Sequence, residues 1–322
     1  MRYRSLGGSG VKVSEVGFGA WGIGGDSAGA VAYGPADRNE SLKALRRAAD
    51  VGVNFFDTAD FYGFGRSEEL IGEALSSRRA SIVIASKVGM LDASGSQDFS
   101  AQHIRTSLAV SLKRLATDYI DVYQLHSPPA ELLAGSGGPL EELQALKKSG
   151  QIRAIGVSLR APQDGLAIAE QRKVDCVQVN FNILDQRAID CGLFDACAAK
   201  GVGVICRTPL CFGFLTGKYR ADADYAASDH RSRWSVHQRQ RWASGAELFA
   251  KWRYGTPETP AQFALRYCLS FDAVTCAIPG MLTADHVDEN AASSDLGPLP
   301  EAALTEIRQH YRGQEFFIAT GG

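Results

Sequence analysis

NFFDTADFYGFGRSEELIG, residues 54–72, opens as an apolar run, crosses a turn-rich stretch and ends on an acidic amphipathic segment. By its periodicity it is a strand, a loop and the start of a helix, which together make one β–α unit. Asp57 and Tyr62 fall where the strand gives way to the loop. The fold turns on whether this unit stands alone or recurs.

It recurs. Apolar, β-rich runs occur at 15–21 (EVGFGAW), 54–59, 81–88 (SIVIASKV), 120–127 (IDVYQLHS), 152–158 (IRAIGVS), 176–181 (CVQVNF), 203–210 (GVICRTPL) and 274–280 (VTCAIPG). Helical stretches fall at 39–52, 66–78, 101–116, 140–150, 162–170, 187–201, 259–271 and 283–293. Leu42, Leu45 and Ala49 in the first, and Ile104, Leu108, Leu112 and Leu115 in the third, keep a helical apolar spacing. The strands are nearly continuous apolar runs, as expected of strands covered on both faces. The pattern predicts an α/β fold, a (β/α)8 TIM barrel. A doubly wound sheet is the alternative, because a strand count from sequence is uncertain by about one or two. RYRSLGGSGVKVS (2–14) alternates around a Gly-rich turn and reads as an N-terminal β-hairpin.

No linker, low-complexity segment or repeat divides the chain, so residues 1–322 are expected to form one domain. A long loop at about 211–257 should lie on the C-terminal face of the barrel, where active sites of this architecture are built. Residues 300–322 form a C-terminal tail.

The chain is 45% hydrophobic with a net charge of -2 and interspersed charges, so neither a nucleic-acid-binding face nor an acidic tail is expected. No apolar stretch approaches the ~18 residues of a membrane span. The N-terminus lacks the apolar core of a signal peptide, so a cytoplasmic location is expected. The seven cysteines sit mostly in apolar runs without paired C-x-x-C spacing; they read as reduced core thiols, with no metal site. Oligomeric state is not legible in the sequence.

GFGAWG (17–22) matches G-x-G-x-x-G in form. The Gly/Ala-rich stretch that follows is not expected to be helical. Without a helix N-terminus the phosphate-binding mechanism of that fingerprint fails, and the segment reads as a loop at the barrel mouth.

In a barrel, chemistry is assembled from the C-terminal ends of several strands. Those ends deliver Asp57, with Tyr62 in the following loop, then Lys87, then His126. Singly, each has a structural explanation: a turn cap, a rim aromatic, a snorkelling lysine, a satisfied histidine. Together they form a proton-transfer device. A lysine ending an apolar run demands a partner, which Asp57 supplies. The ammonium is expected to lower the pKa of Tyr62 from roughly 10. Tyr62 then donates a proton to a carbonyl oxygen, and His126 either hydrogen-bonds that oxygen or tunes the phenol.

With these residues in place, the sequence resembles the aldo-keto reductases. The matching motifs are GFGAW, DTADFYG, IASK, DYIDVYQLH, GQIRAIGVS, QVNFN, TPL followed by GFLTGKY, and IPG followed by ENAA. They span residues from about 5 to 293 in order. The layout is closest to the bacterial inositol-utilisation type reductases and the potassium-channel β subunits. The resemblance implies a barrel that binds an extended nicotinamide cofactor, with Asp57, Tyr62, Lys87 and His126 as its catalytic tetrad.

The resemblance also implies cofactor contacts, among them Trp21 and Asp57. Ser158 and Gln178 match residues that hold the nicotinamide carboxamide, although Leu159 stands where an asparagine is common. Arg207 matches an aromatic residue that stacks on the nicotinamide; a planar guanidinium can stack too. Thr208, Leu210 and Lys218 match the pyrophosphate stretch, and Arg231 is a further candidate or part of a solvated basic loop. Gly280, Glu289 and Asn290 match the adenosine side, with Thr283 and His286 beside them. Leu282 departs from the Arg, Lys or Ser that meets a 2'-phosphate. NADP(H) is favoured on the family's habit, and NAD(H) is the alternative.

The substrate pocket is expected to include Trp21, Phe61, Phe64 and Met90, with Pro128, Phe316 and Phe317 as further candidates. The expected partner is a small carbonyl compound or alcohol. The expected activity is reduction of an aldehyde or ketone. The alternatives are oxidation of a sugar or polyol at the same site, or a cofactor-binding regulatory subunit.

Overall fold

The computed structural model describes residues 1–26, 32–134, 138–253 and 255–318. All eight expected barrel strands are present: β3 (Phe18–Gly19), β4 (Phe55–Asp57), β5 (Val83–Val88), β6 (Ile120–His126), β7 (Ile152–Ser158), β8 (Cys176–Asn180), β9 (Gly203–Arg207) and β10 (Val274–Ala277). They pair in parallel and in chain order. Parallel bridges Val16–Ala277 and Gly19–Gly280 join the first strand region to the last and close the ring. The Gly17 amide donates to the Ala277 carbonyl at 2.8 Å across that seam. The doubly wound alternative is thereby excluded. β1 (Tyr3–Ser5) and β2 (Lys12–Ser14) form the expected antiparallel hairpin.

Strand alternation sets up the site. Phe55, Val83, Ala85, Val122, Ala154, Cys176, Ile205 and Cys276 form one apolar cluster inside the barrel, with Leu6 and Val13 of the hairpin beneath. Residues two positions on share that inward face. Above the apolar floor it therefore carries Asp57, Lys87, Gln124, Ser158, Gln178 and Arg207. The outward face, with Phe56, Ile84, Tyr123, Ile155, Val177 and Val204, packs under the helices in a larger core.

Several helices differ from expectation. The 187–201 stretch breaks into Arg187–Asp190 and Leu193–Lys200 at Gly192, whose φ of 80° lies in the left-handed region. The 66–78 stretch ends at Leu75 and continues as a 3-10 segment, Ser76–Ser81. After GFGA comes one helical turn, Trp21–Gly24, where none was expected; part of the stretch beyond it, 27–31, lies outside the described residues.

The long 211–257 loop is partly ordered by a 13-residue helix, Val236–Leu248, capped by the Ser235 side chain. The tail carries the helix Glu301–Arg312. Among the described residues, no helix is long and apolar enough to cross a membrane.

Trp242 in the loop helix is fully buried and packs on Phe212, Phe214, Trp234 and Phe317. Trp242→Ala is expected to cost about 3–5 kcal/mol in chemical denaturation, and to expose the 211–257 segment to limited proteolysis.

Candidate active site

The floor of the site is a buried ion pair. Lys87, with no solvent exposure, reaches Asp57 Oδ1 at 2.5 Å and Oδ2 at 2.7 Å. The same ammonium donates to the Thr58 carbonyl at 2.8 Å and contacts the Tyr62 hydroxyl at 3.0 Å. Gln178 Nε2 braces the carboxylate at 3.0 Å from each oxygen and lies 3.3 Å from Gln124 Oε1. The His126 ring packs edge-on against Tyr62, with centroids 5.8 Å apart. The four strand-end groups therefore do converge.

Tyr62 is delivered by a tight loop. The Thr58 amide donates to the Ala85 carbonyl at 2.8 Å, and the Tyr62 amide to the Ala59 carbonyl at 3.1 Å. Gly63 follows at φ 60° and Phe64 at φ 51°. A Cβ on Gly24 would stand 2.9 Å from the Gly63 nitrogen and the Tyr62 carbonyl carbon. Gly24 thus lets two loops touch at the mouth, while Gly17, Gly19 and Gly22, the glycines of the apparent fingerprint, allow close packing against Phe55 and Cys276, the backbone of Ile278 and Pro279, and Leu282.

Burial and charge set the protonation states. Burial alone would lower the Lys87 pKa; the Asp57 charge and the hydrogen bonds to Asp57 and Tyr62 outweigh it and hold the ammonium protonated. For Tyr62 the expectation fails. Burial of the phenol outweighs the pull of Lys87, and its pKa is raised, not lowered. Burial, with Lys87 and Arg207 adding, pushes His126 well below the ordinary histidine range, so the imidazole is neutral.

A cleft runs from this cluster across the barrel mouth. Trp21, Asp57, Tyr62, Gln178, Arg207, Thr208, Leu210, Lys218, Arg231, Gly280, His286, Glu289 and Asn290 line it. Ser158 lies behind this lining and contacts it through Arg207. Thr283 does not line the cleft; its side chain caps the helix Ala284–Ala291. Phe61 and Phe64 meet edge-to-face outside it. Met90 faces Gln97 instead, and Pro128 is also outside the lining. Phe316 and Phe317 pack on Phe249 and Trp242, away from the cleft.

Arg207 is held more tightly than stacking alone would require. Its guanidinium donates to Ser158 Oγ at 2.5 Å, the Leu159 carbonyl at 2.5 Å and Asn180 Oδ1 at 2.8 Å. Leu159 thus contributes through its backbone. Arg231 forms a buried ion pair with Asp229 at 2.6 Å and lies over the Tyr219 ring at 3.9 Å, so it is not part of a solvated loop. Lys218 spans to Glu289 at 3.3 Å. Among the described residues, no group of three His, Cys, Asp or Glu converges to hold a metal.

Sequence reasoning missed Gln124, Tyr33, Phe212 and Tyr219. Gln124 was readable: it is inward by a period of two from His126. The other three line the cleft from loops. Tyr33 is placed by bridges from Ala32 and Tyr33 to Asp229, contacts that local sequence does not encode.

The inward ion pair, the phenol beside it and the cleft define the class: a parallel barrel with a buried polar cluster at one end that opens into a cleft. Comparison then gives the family. The Aldo/keto reductase family pattern matches residues 15–312, and the chain belongs to that family of oxidoreductases. It is 31% identical to the aldo-keto reductase yakc [NADP(+)] of Schizosaccharomyces pombe, over 92% of this chain and 88% of that protein. It is 30% identical to the NADH-specific methylglyoxal reductase of Escherichia coli, over 96% and 98% respectively. The structure of the glycerol dehydrogenase of Gluconobacter oxydans superposes with a TM-score of 0.79 at 26% identity, covering 99% of this chain and 98% of that one.

Behind the tyrosine loop lies a second acidic group. Asp60 Oδ1 is buried and finds no hydrogen-bond partner among the described residues. Burial, with the nearby Glu68 charge adding, pushes the Asp60 carboxyl up to about 8. Unfolded, the same group titrates near ~4. Between those values the folded state holds the extra proton, so stability falls as pH rises and levels off above about 8. Asp60→Asn is expected to melt like the parent near pH 4 and progressively higher up to about pH 8. Melting curves across that range check this.

Proposed function

We propose that the chain is an NAD(P)H-dependent reductase that converts an aldehyde or ketone to an alcohol, with Tyr62 as proton donor. The observation that carries the reading is the fully buried Lys87 ammonium, which contacts the Asp57 carboxylate and the Tyr62 hydroxyl at once. When bound, the nicotinamide supplies the hydride to the carbonyl carbon. Tyr62, kept protonated by burial, gives its proton to the carbonyl oxygen. Lys87 stabilises the phenolate left behind, and Asp57 keeps Lys87 charged and in place. Neutral His126 serves as a hydrogen-bond partner of the substrate oxygen.

The cleft residues fit a dinucleotide. Arg207 offers a flat, pinned guanidinium next to the reacting end, supported by Ser158, while Gln178 steadies Asp57. Lys218 and Arg231 supply positive charge for phosphates, and Thr208 and Leu210 border their path; Gly280 lines the adenosine side. The adenosine end falls to His286, Glu289 and Asn290. NADP(H) is the proposed cofactor, on the habit of the family. NAD(H) is the second reading. It is favoured by the apolar Leu282 and the Glu289 carboxylate in the cleft lining, and by the NADH-specific relative. Oxidation of an alcohol by the reverse steps is the second reading of direction, favoured by the likeness to a glycerol dehydrogenase.

Two experiments test these readings. Tyr62→Phe is expected to abolish turnover on a panel of carbonyl compounds, methylglyoxal included, while dinucleotide binding survives; an undiminished rate rejects the mechanism. Tryptophan-fluorescence titration is expected to give a lower Kd for NADPH than for NADH, and the opposite order assigns NAD(H).

A further inference from the structure

His126 is the member of the site with the fewest visible restraints on its ring. Its Nδ1 is buried and finds no hydrogen-bond partner among the described residues. A histidine whose ring must point at a substrate is ordinarily steered through its second nitrogen. Here that handle is unused, so the ring direction depends on the backbone that carries it.

That backbone is held from outside its own strand. His126 is the last residue of β6, and Ser127 turns sharply at φ 54°, a left-handed conformation that a residue with a side chain rarely adopts. Left-handed backbone of this kind persists when its surroundings over-determine it. One side chain contacts both carbonyls at this turn: Gln97 Nε2 lies 3.1 Å from the His126 oxygen and 2.9 Å from the Ser127 oxygen.

Arg160, just beyond β7, completes the arrangement. Its Nε donates to the Ser127 carbonyl at 2.7 Å, and its guanidinium also bonds Gln97 Oε1. The Ser127 amide in turn donates to the Ser158 carbonyl at 2.8 Å. Gln97 itself is fixed by its loop, where the Asp98 amide donates to the Gly89 carbonyl at 2.9 Å and the Leu91 amide to the Ser96 carbonyl at 2.9 Å. Three loops, after β5, β6 and β7, thus meet at the carbonyls of 126 and 127.

We propose that Gln97, locked by Arg160, is a positioning residue that sets the direction of the His126 imidazole. The proposal rests on the reading of His126 as the partner of the substrate oxygen. Gln97 touches no reacting atom. It acts by fixing the peptide units on which the ring is mounted.

The test uses the full chain and two readouts. The first is independent of turnover. The chain has six histidines, so ring-labelled histidine gives a countable NMR spectrum, with His126 identified by its loss in His126→Ala. Gln97→Leu is expected to shift or broaden the His126 signals and leave the others in place. Unmoved His126 signals overturn the proposal.

The second readout is kinetic, on whichever carbonyl compound of the panel is turned over. Gln97→Leu is expected to lower kcat by roughly ten- to a hundredfold with an unchanged dinucleotide Kd. Combined with His126→Ala it should lower kcat no further than His126→Ala alone. Effects that multiply overturn the proposal, because Gln97 then acts elsewhere. Gln97→Glu keeps the arginine bond and loses the donor, so it should be as slow as Gln97→Leu; full activity also overturns it. If Gln97→Leu does not fold, Arg160→Leu at its exposed position carries the same expectations. Should no carbonyl compound react, the proposed function fails while the NMR result still decides this inference.

Discussion

Everything in this molecule is arranged around one ammonium held inside a barrel. A lysine side chain with no access to water is tolerable only when its charge and its protons are matched. Lys87 has a carboxylate, a backbone carbonyl and a phenol within hydrogen-bond reach. Each of these comes from β4 or the loop that follows it. The position of Tyr62 is therefore not an independent feature of a mobile loop. It is tied to the requirement that a buried charge be satisfied. Gln178 and Gln124 extend that requirement to β8 and β6, so the ring of strands and the polar layer support each other.

The same constraint explains the layering. Along five of the eight strands the inward face changes from apolar to polar in two residues: Phe55 to Asp57, Ala85 to Lys87, Val122 to Gln124, Cys176 to Gln178, Ile205 to Arg207. The apolar layer excludes water from below and strengthens every electrostatic contact above it. That is also why the phenol keeps its proton more firmly than the ammonium alone would dictate.

The fold was largely legible because both faces of each strand are covered, which leaves continuous apolar runs that no surface segment imitates. The convergence of Asp57, Tyr62, Lys87 and His126 was legible because a titratable residue at or just beyond the end of such a run is conspicuous. What escaped notice was set by distant contacts. The helix Val236–Leu248 is rich in Arg and Gln and shows little apolar stripe; its order comes from Trp242 docking on Phe212 and Phe214 and from Gln238 holding the Phe316 carbonyl at 2.7 Å. Phe316 and Phe317 were misplaced for the same reason: the tail folds back on that helix and not into the cleft. The direction of the Tyr62 shift was misjudged because a sequence shows neighbours in the chain and not the depth at which they sit.

The hairpin under the barrel has one more consequence. Leu6 and Val13 seal the lower end with apolar packing, so among the described residues the vessel opens at its mouth, into the cleft. Components that meet at Asp57 and Tyr62 must come and go on the same side. Traffic then obeys depth: what lodges deepest has to arrive first and depart last, and anything seated over it blocks its exit. A stopper made of two short strands thus imposes a queue.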